Sequence, residues 1–198
     1  MTIEKTRDLN TIKECFEVIL NSDKENSRLA AREVRKILYG SKNNKNKYKD
    51  IKVIMKNAPE TYAGISENWR EENFVMAISV IHFLRDRKEN PDSLFPWLFE
   101  LLKHPNGKVR YAAVKMFENE LGPLTVHIRF PNDKYRQSKA KRSNEILKAL
   151  VISLQGLLNI LWEEKYEKYE YIRDLPASPY KSVQMVFGSI EEYCGRKY

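Results

Sequence analysis

The chain has 198 residues, 42% of them hydrophobic, enough for a core in one domain or in an elongated array. Seven Gly and eight Pro are few for an all-β chain, and two Cys at opposite ends, Cys15 and Cys194, argue against a disulfide framework or a thiolate metal site. A formal net charge of +8 with a pI near 9.3 favours acidic partners such as acidic proteins, nucleic acid or anionic lipid. The start, MTIEKTRDLNT, has no apolar run of the secretory kind, so a reduced, cytoplasmic chain is expected.

The first helix is expected from near Leu9 to Leu20, with Ile12, Phe16 and Ile19 on one face. Ser22 and Glu25 have capping-box spacing. The second helix carries Leu29, Ala30, Val34, Ile37 and Leu38, and Gly40 is placed to end it. SKNNKNKYKD reads as a polar, solvated connector. A short helix around residues 49–57 stops before Pro59, and PETYAGIS reads as a turn. A longer helix covers Glu67 to Arg87, with Phe74, Ala77, Ile78, Ile81 and Leu84 as its apolar stripe. Asn90 and Pro91 form an N-cap and first-turn pair. Residues 94–122, LFPWLFELLKHPNGKVRYAAVKMFENELG, read as two short amphipathic helices joined by a tight turn.

After Gly122–Pro123, residues 124–130 alternate enough for a brief extended segment. A long helix then starts near Ser138 and reaches towards Tyr171, Pro176 and Pro179 break the chain, and a final helix covers Tyr180 to Tyr193. The apolar stretch 146–162, ILKALVISLQGLLNILW, approaches the length of a membrane span. Lys148, Gln155 and Asn159 interrupt it, so a helix buried on most sides by its neighbours is expected, with no membrane partner.

The chain repeats itself. Arg110-Tyr111-Ala112-Ala113 matches Arg28-Leu29-Ala30-Ala31 at an offset of 82 residues (110 − 28). At that offset Leu94 falls on Ile12, Leu98 on Phe16, Leu101 on Ile19, Leu102 on Leu20 and Met116 on Val34. Half the offset, 41, lies inside the period of about 40–47 residues of HEAT-type repeats, which places a middle unit at 50–89. Residues 94–121 resemble a HEAT repeat: Pro96 in the first helix, a Leu-rich face, a turn, then Val109, Arg110, Ala112 and Ala113. Residues 12–38 resemble it more weakly.

The resemblance implies an all-α superhelix of antiparallel helix pairs. Such a chain would form one helical-repeat domain over 1–198, with units at about 9–40, 50–89 and 91–122 and a C-terminal helical part over 138–195. It implies that the small residues let paired helices approach closely, and that the arginine ladders with an acidic residue in the preceding turn. His104 stands at that turn position here. An ordinary helical bundle would use similar amphipathic pairs.

No catalytic, cofactor or metal-ligating set is apparent. His82 lies in the apolar run SVIHFL and reads as a buried, hydrogen-bonded histidine; His104 sits in an inter-helix turn, and His127 has no carboxylate nearby in sequence. None has a His or Cys at the spacing of a zinc-binding helix, and neither a phosphate loop nor a nucleophile elbow occurs.

Two cationic clusters read as candidate binding surface. One is Lys103, Lys108, Arg110 and Lys115, in which Lys108 and Lys115 are two turns apart and share a face. The other is Arg129, Lys134, Tyr135, Arg136, Lys139, Lys141 and Arg142, with Asp133 opposing; its plain alternative is a mobile, solvated connector. Tyr166 and Tyr169 read as packing residues.

The expected function is a non-catalytic scaffold that recognises an acidic partner, a protein first and nucleic acid second. The runner-up is a DNA-binding protein or an enzyme similar to the HEAT-like DNA-alkylation-repair glycosylases, with Trp69, Trp97 or Trp162 beside an acidic residue. That family's active-site pattern has no residue-by-residue match in this chain.

Overall fold

In the computed structural model of the chain, residues 9–40, 47–85, 92–164 and 177–195 are described, and the regular structure among them is entirely helical. The protein is all-α. It divides into two compact units, Met1–Asp86 and Arg87–Tyr198.

In the first unit, α1 (Ile12–Asn21) and α2 (Lys24–Tyr39) form a hairpin. The capping box lies one helix earlier than the expected Ser22–Glu25 pair. Thr11 Oγ1 accepts from the Glu14 amide at 3.1 Å, while Glu14 Oε2 accepts from the Thr11 amide at 3.1 Å. Asp23 caps α2, taking the amides of Glu25 and Asn26 at 3.0 and 2.9 Å. A carboxylate directly before the first helical residue satisfies two free N–H groups, which leaves Ser22 to end α1 instead. Gly40 closes α2 in an extended conformation (φ −67°, ψ 150°).

The α3 helix (Lys47–Ala63) runs through Pro59 rather than stopping before it. Proline inside a helix costs about 3 kcal/mol, and burial of Ile51, Met55 and Ala58 on the same helix offsets it. The α4 helix (Asn68–Ile81) ends six residues short of Arg87, in a 3-10 turn over His82–Leu84. Phe74, Ala77, Ile78 and Ile81 are buried as expected, and so is His82. Asn90 and Pro91 lie outside the described residues. Helix α3 packs on α1, and α4 packs on both α2 and α1, with Phe16 meeting Phe74 edge-on at 5.6 Å. Ile19, at the end of α1, offers its carbonyl to Ser27 Oγ (3.0 Å) and to the Arg70 guanidinium (2.8 Å). Asn73 Nδ2 donates to the same Ser27 oxygen at 3.0 Å, so a buried polar node joins α1, α2 and α4.

The second unit opens with the hairpin of α5 (Phe95–Lys103) and α6 (Gly107–Leu124). Shifting α1 by 82 residues gives 94–103, and shifting α2 gives 106–121, so the two hairpins correspond element by element. Burial corresponds as well: Ile12 with Leu94, Phe16 with Leu98, Ile19 with Leu101, Ala30 with Ala112, Val34 with Met116. Phe95, Phe99 and Phe117 form a ring cluster with centroids 5.5–6.4 Å apart.

Helix α6 continues through Pro123. The carbonyl that the missing proline N–H would have bonded belongs to exposed Asn119, where water can serve it. No extended segment follows. Instead α7 (Val126–Arg129) and α8 (Lys134–Gln137) are single helical turns. The alternation of Leu124, Val126 and Ile128 was incidental, since Leu124, Thr125 and His127 are the buried residues.

Helix α9 (Ala140–Leu161) ends at Trp162, whose backbone is extended, well before Tyr171. Tyr166 and Tyr169 lie outside the described residues. Ser178 caps α10 (Pro179–Cys194), accepting from the Lys181 amide at 3.2 Å, and Gly195 closes it at φ 66°, a conformation that suits glycine. Helix α10 packs against α6, α9 and α5.

The expectation that α9 is enclosed by neighbours is wrong. Only Leu147, Leu150 and Leu154 are buried, along the one edge that meets α10 and α6. Ile152, Ile160 and Trp162 are 57, 80 and 51% exposed. By length and composition α9 is long and apolar enough to cross a membrane, and 17% of its most apolar window is buried.

Both cysteines are buried. Burial pushes the Cys15 thiol up to about 12, with Glu33 and Glu14 adding to it, and burial raises Cys194 as well. A thiol held protonated is a poor nucleophile. Ellman's reagent should therefore leave both thiols unmodified in the native protein and modify both in guanidinium chloride; fast reaction of Cys15 in the native state would contradict its placement.

Candidate functional site

The second cationic cluster is carried by the two helical turns α7 and α8 and the start of α9. It begins where α6 ends. Thr125 Oγ1 donates to the Leu121 carbonyl at 2.6 Å, closing α6, and Arg129 donates to the next carbonyl, Gly122, at 2.8 Å. Asp133 caps α8 by accepting from the Arg136 amide at 3.1 Å. Gln137 Nε2 reaches back to the carbonyls of His127 (2.7 Å) and Phe130 (3.4 Å), folding α8 onto α7. His127 is buried, and its Nε2 lies 2.8 Å from Asn144 Oδ1 on α9. With Nε2 as the donor, that bond ties α7 to the second turn of α9.

On this frame the cations meet exposed rings. Arg136 lies 4.1 Å from the centroid of Phe130, and Arg129 lies 5.9 Å from the same ring. Arg129 also approaches Tyr193 of α10, at 5.2 Å. Lys139 donates to the Tyr135 hydroxyl at 3.0 Å and sits 4.7 Å from its ring centroid. Phe130 is 47% and Tyr135 71% exposed. Each contact is worth about 0.5–1 kcal/mol at an exposed position; its larger effect is to hold a flexible cation in place. Lys134, Lys141 and Arg142 are exposed alongside. Residues 129–142 thus carry six cations against the single carboxylate of Asp133, which pairs with Arg136 at 3.1 Å.

The first cluster does not join this surface. Lys108 stands at the start of α6 and Gly122 near its end, 14 residues or about 21 Å along the axis. Lys103 pairs with Glu100 at 2.6 Å and Lys115 with Glu118 at 2.7 Å, both within their own helices. Partial burial works against the charge of Lys115, but the hydrogen bond and charge of Glu118 outweigh it and raise its pKa.

Arg110 is not binding surface. It is 5% exposed and donates to the carbonyls of His104 and Pro105, both at 2.7 Å. His104 Nδ1 in turn accepts from the Asn106 amide at 2.9 Å, and Asn106 caps α6 by accepting from Lys108. The guanidinium holds the α5–α6 turn through main-chain oxygens, a role that needs no acidic residue there. Arg28, its counterpart in the first hairpin, is half-buried and pairs with Glu25.

No family model, no curated protein and no solved structure matches this chain.

Two members of the site were absent from the sequence reading. Phe130 could have been found, since it sits between Arg129 and Arg136 in an otherwise polar run. Tyr193 could not, because 64 residues separate it from Arg129 and only the packing of α10 brings them together. Among the candidate tryptophans, Trp97 is buried, Trp162 is exposed and Trp69 carries Arg70 over its ring at 4.4 Å.

Proposed function

We propose that the protein is a non-catalytic helical-repeat binding module whose cationic, ring-bearing surface at 129–142 receives an acidic partner protein. The observation that carries this is the placement of Arg129, Arg136 and Lys139 against Phe130 and Tyr135. Cations held in position lose less side-chain entropy when they meet carboxylates, so a fixed array binds better than a tail of equal charge. HEAT-like stacking would suit such a role, since paired helices present side chains on a stiff wall.

A second reading is single-stranded nucleic acid. It is favoured by the exposed Phe130 and Tyr135 rings, which could stack on bases while the cations meet phosphates.

Fluorescence anisotropy with labelled poly-glutamate and with a labelled single-stranded oligonucleotide, each at low and at physiological salt, tests both. Poly-glutamate should bind and weaken with salt, and the triple variant Arg136→Ala/Lys139→Ala/Arg142→Ala should lose affinity about tenfold or more. Tight oligonucleotide binding without poly-glutamate binding would move the assignment to the second reading. An unaffected triple variant would dismiss this surface altogether.

A further inference from the structure

Helix α2 in the first unit carries a charged surface that the acidic-partner proposal does not use. Lys24, Arg28, Arg32, Arg35 and Tyr39 follow one another at steps of four, four, three and four. At about 100° per residue they fall within a sector of about 80°, so they form one stripe along the helix. Lys24, Arg32, Arg35 and Tyr39 are exposed, and Arg28 is half-buried. The stripe contains no carboxylate. Glu25 and Glu33 stand beside it, the first bonded by Arg28 at 3.0 Å and the second by Lys36 at 2.7 Å.

Tyr39 ends the stripe with a ring. It lies nearly parallel to Phe83, with 16° between the planes and 6.4 Å between centroids, and it is 68% exposed. Phe83 backs the ring and leaves most of it open to solvent. The matching hairpin shows that helix packing does not call for these residues. At the offset of 82, Arg32, Arg35 and Tyr39 fall on Val114, Phe117 and Leu121, all fully buried on α6, the helix against which α10 packs. There the row is apolar and covered; on α2 it is cationic and faces solvent.

We propose that this stripe binds single-stranded nucleic acid, with the arginines on successive phosphates and Tyr39 stacked on a base. A guanidinium offers a planar fork that takes phosphate oxygens two at a time. Arginines three and four residues apart repeat that fork every ~4.5–6 Å along the helix axis. A base stacks on an exposed aromatic ring whatever its identity. An acidic protein would use the cations and leave Tyr39 idle, so a strand that carries both phosphates and bases fits the whole stripe. The stripe lies in the first unit and residues 129–142 in the second, so neither proposal rests on the other.

Phosphates and base faces are common to DNA and RNA, and labelled oligothymidylate is the probe. Fluorescence anisotropy is run on the wild-type chain and on the Arg136→Ala/Lys139→Ala/Arg142→Ala variant, which lacks three cations of the other surface. Both should bind, with log affinity falling against log salt at a slope of about −2 to −3, the value for three to four neutralised phosphates of a single strand. Arg32→Gln/Arg35→Gln should weaken binding about tenfold or more and flatten the slope by about 1.4. Glutamine is about as good a helix former as arginine, so the far-ultraviolet circular dichroism should not change. Tyr39→Ala should weaken binding about tenfold, and Tyr39→Phe should restore most of it, because the ring is what stacks. On an abasic strand of the same length the arginine effect should persist and the Tyr39 effect vanish. No binding by the wild-type chain at low salt, or binding that Arg32→Gln/Arg35→Gln leaves unchanged, overturns the proposal. So does poly-glutamate binding lost in Arg32→Gln/Arg35→Gln while oligothymidylate is indifferent to Tyr39→Ala, which would assign the stripe to an acidic protein.

Discussion

Phe117→Ala should remove about 3–5 kcal/mol from the stability of the second unit. Phe117 is fully buried and touches two further rings, Phe95 at 5.6 Å and Phe99 at 5.5 Å. Truncation loses the transfer energy of the ring and also opens a cavity between α5 and α6, since the ring is held from both helices and neither can close the gap alone. The control is Phe130→Ala in the same unit. Phe130 is 47% exposed, so its loss should cost about 1 kcal/mol or less, most of it the contact with Arg136. Urea unfolding followed by the fluorescence of buried Trp97 in that unit gives both numbers. Equal costs for the two phenylalanines would mean that the ring cluster is wrongly placed.

The second large effect is at Arg110. Arg110→Met should cost about 2–3 kcal/mol, because two charge-assisted hydrogen bonds disappear and the turn carbonyls of His104 and Pro105 lose their donor. Arg110→Lys should recover less than half, since an ammonium cannot hold the guanidinium's forked geometry. Chemical denaturation measures the loss. Poly-glutamate affinity, taken where each variant is fully folded, should stay at the wild-type value. A drop in affinity with stability intact would return Arg110 to the binding surface.

Arg110 shows where sequence reading stops. Its position after a turn, with Val109 before it and a pair of alanines after it, was plain from the repeat. So was the burial of Ala112 and Ala113. What the guanidinium touches was not, because His104 stands at the turn position where an acidic residue was expected, and the main-chain oxygens that Arg110 bonds leave no mark in side-chain identity. The second cluster was legible as charge but not as architecture. Its order comes from Gln137, Asp133 and His127, polar residues whose hydrogen bonds span 3–17 positions and carry no periodicity.

Prolines misled in both units. Pro59 and Pro123 each suggested a stop, and each lies inside a helix: Pro59 directly follows buried Ala58, and Pro123 stands between buried Leu121 and Leu124. At Pro123 a local penalty of about 3 kcal/mol yields because buried Leu121 and Leu124 on either side depend on the helix continuing.

By itself the sequence determined the helical class, the spacing of the two matching hairpins and their core residues. Those follow from the 3.6-residue period, which every residue reports locally. Tertiary structure alone decided which charges act as surface and which as struts, and that α9 is buried only along the edge of Leu147, Leu150 and Leu154. Burial of a side chain depends on what the rest of the chain places beside it, and an apolar run reads the same whether neighbours enclose it or meet it along a single edge.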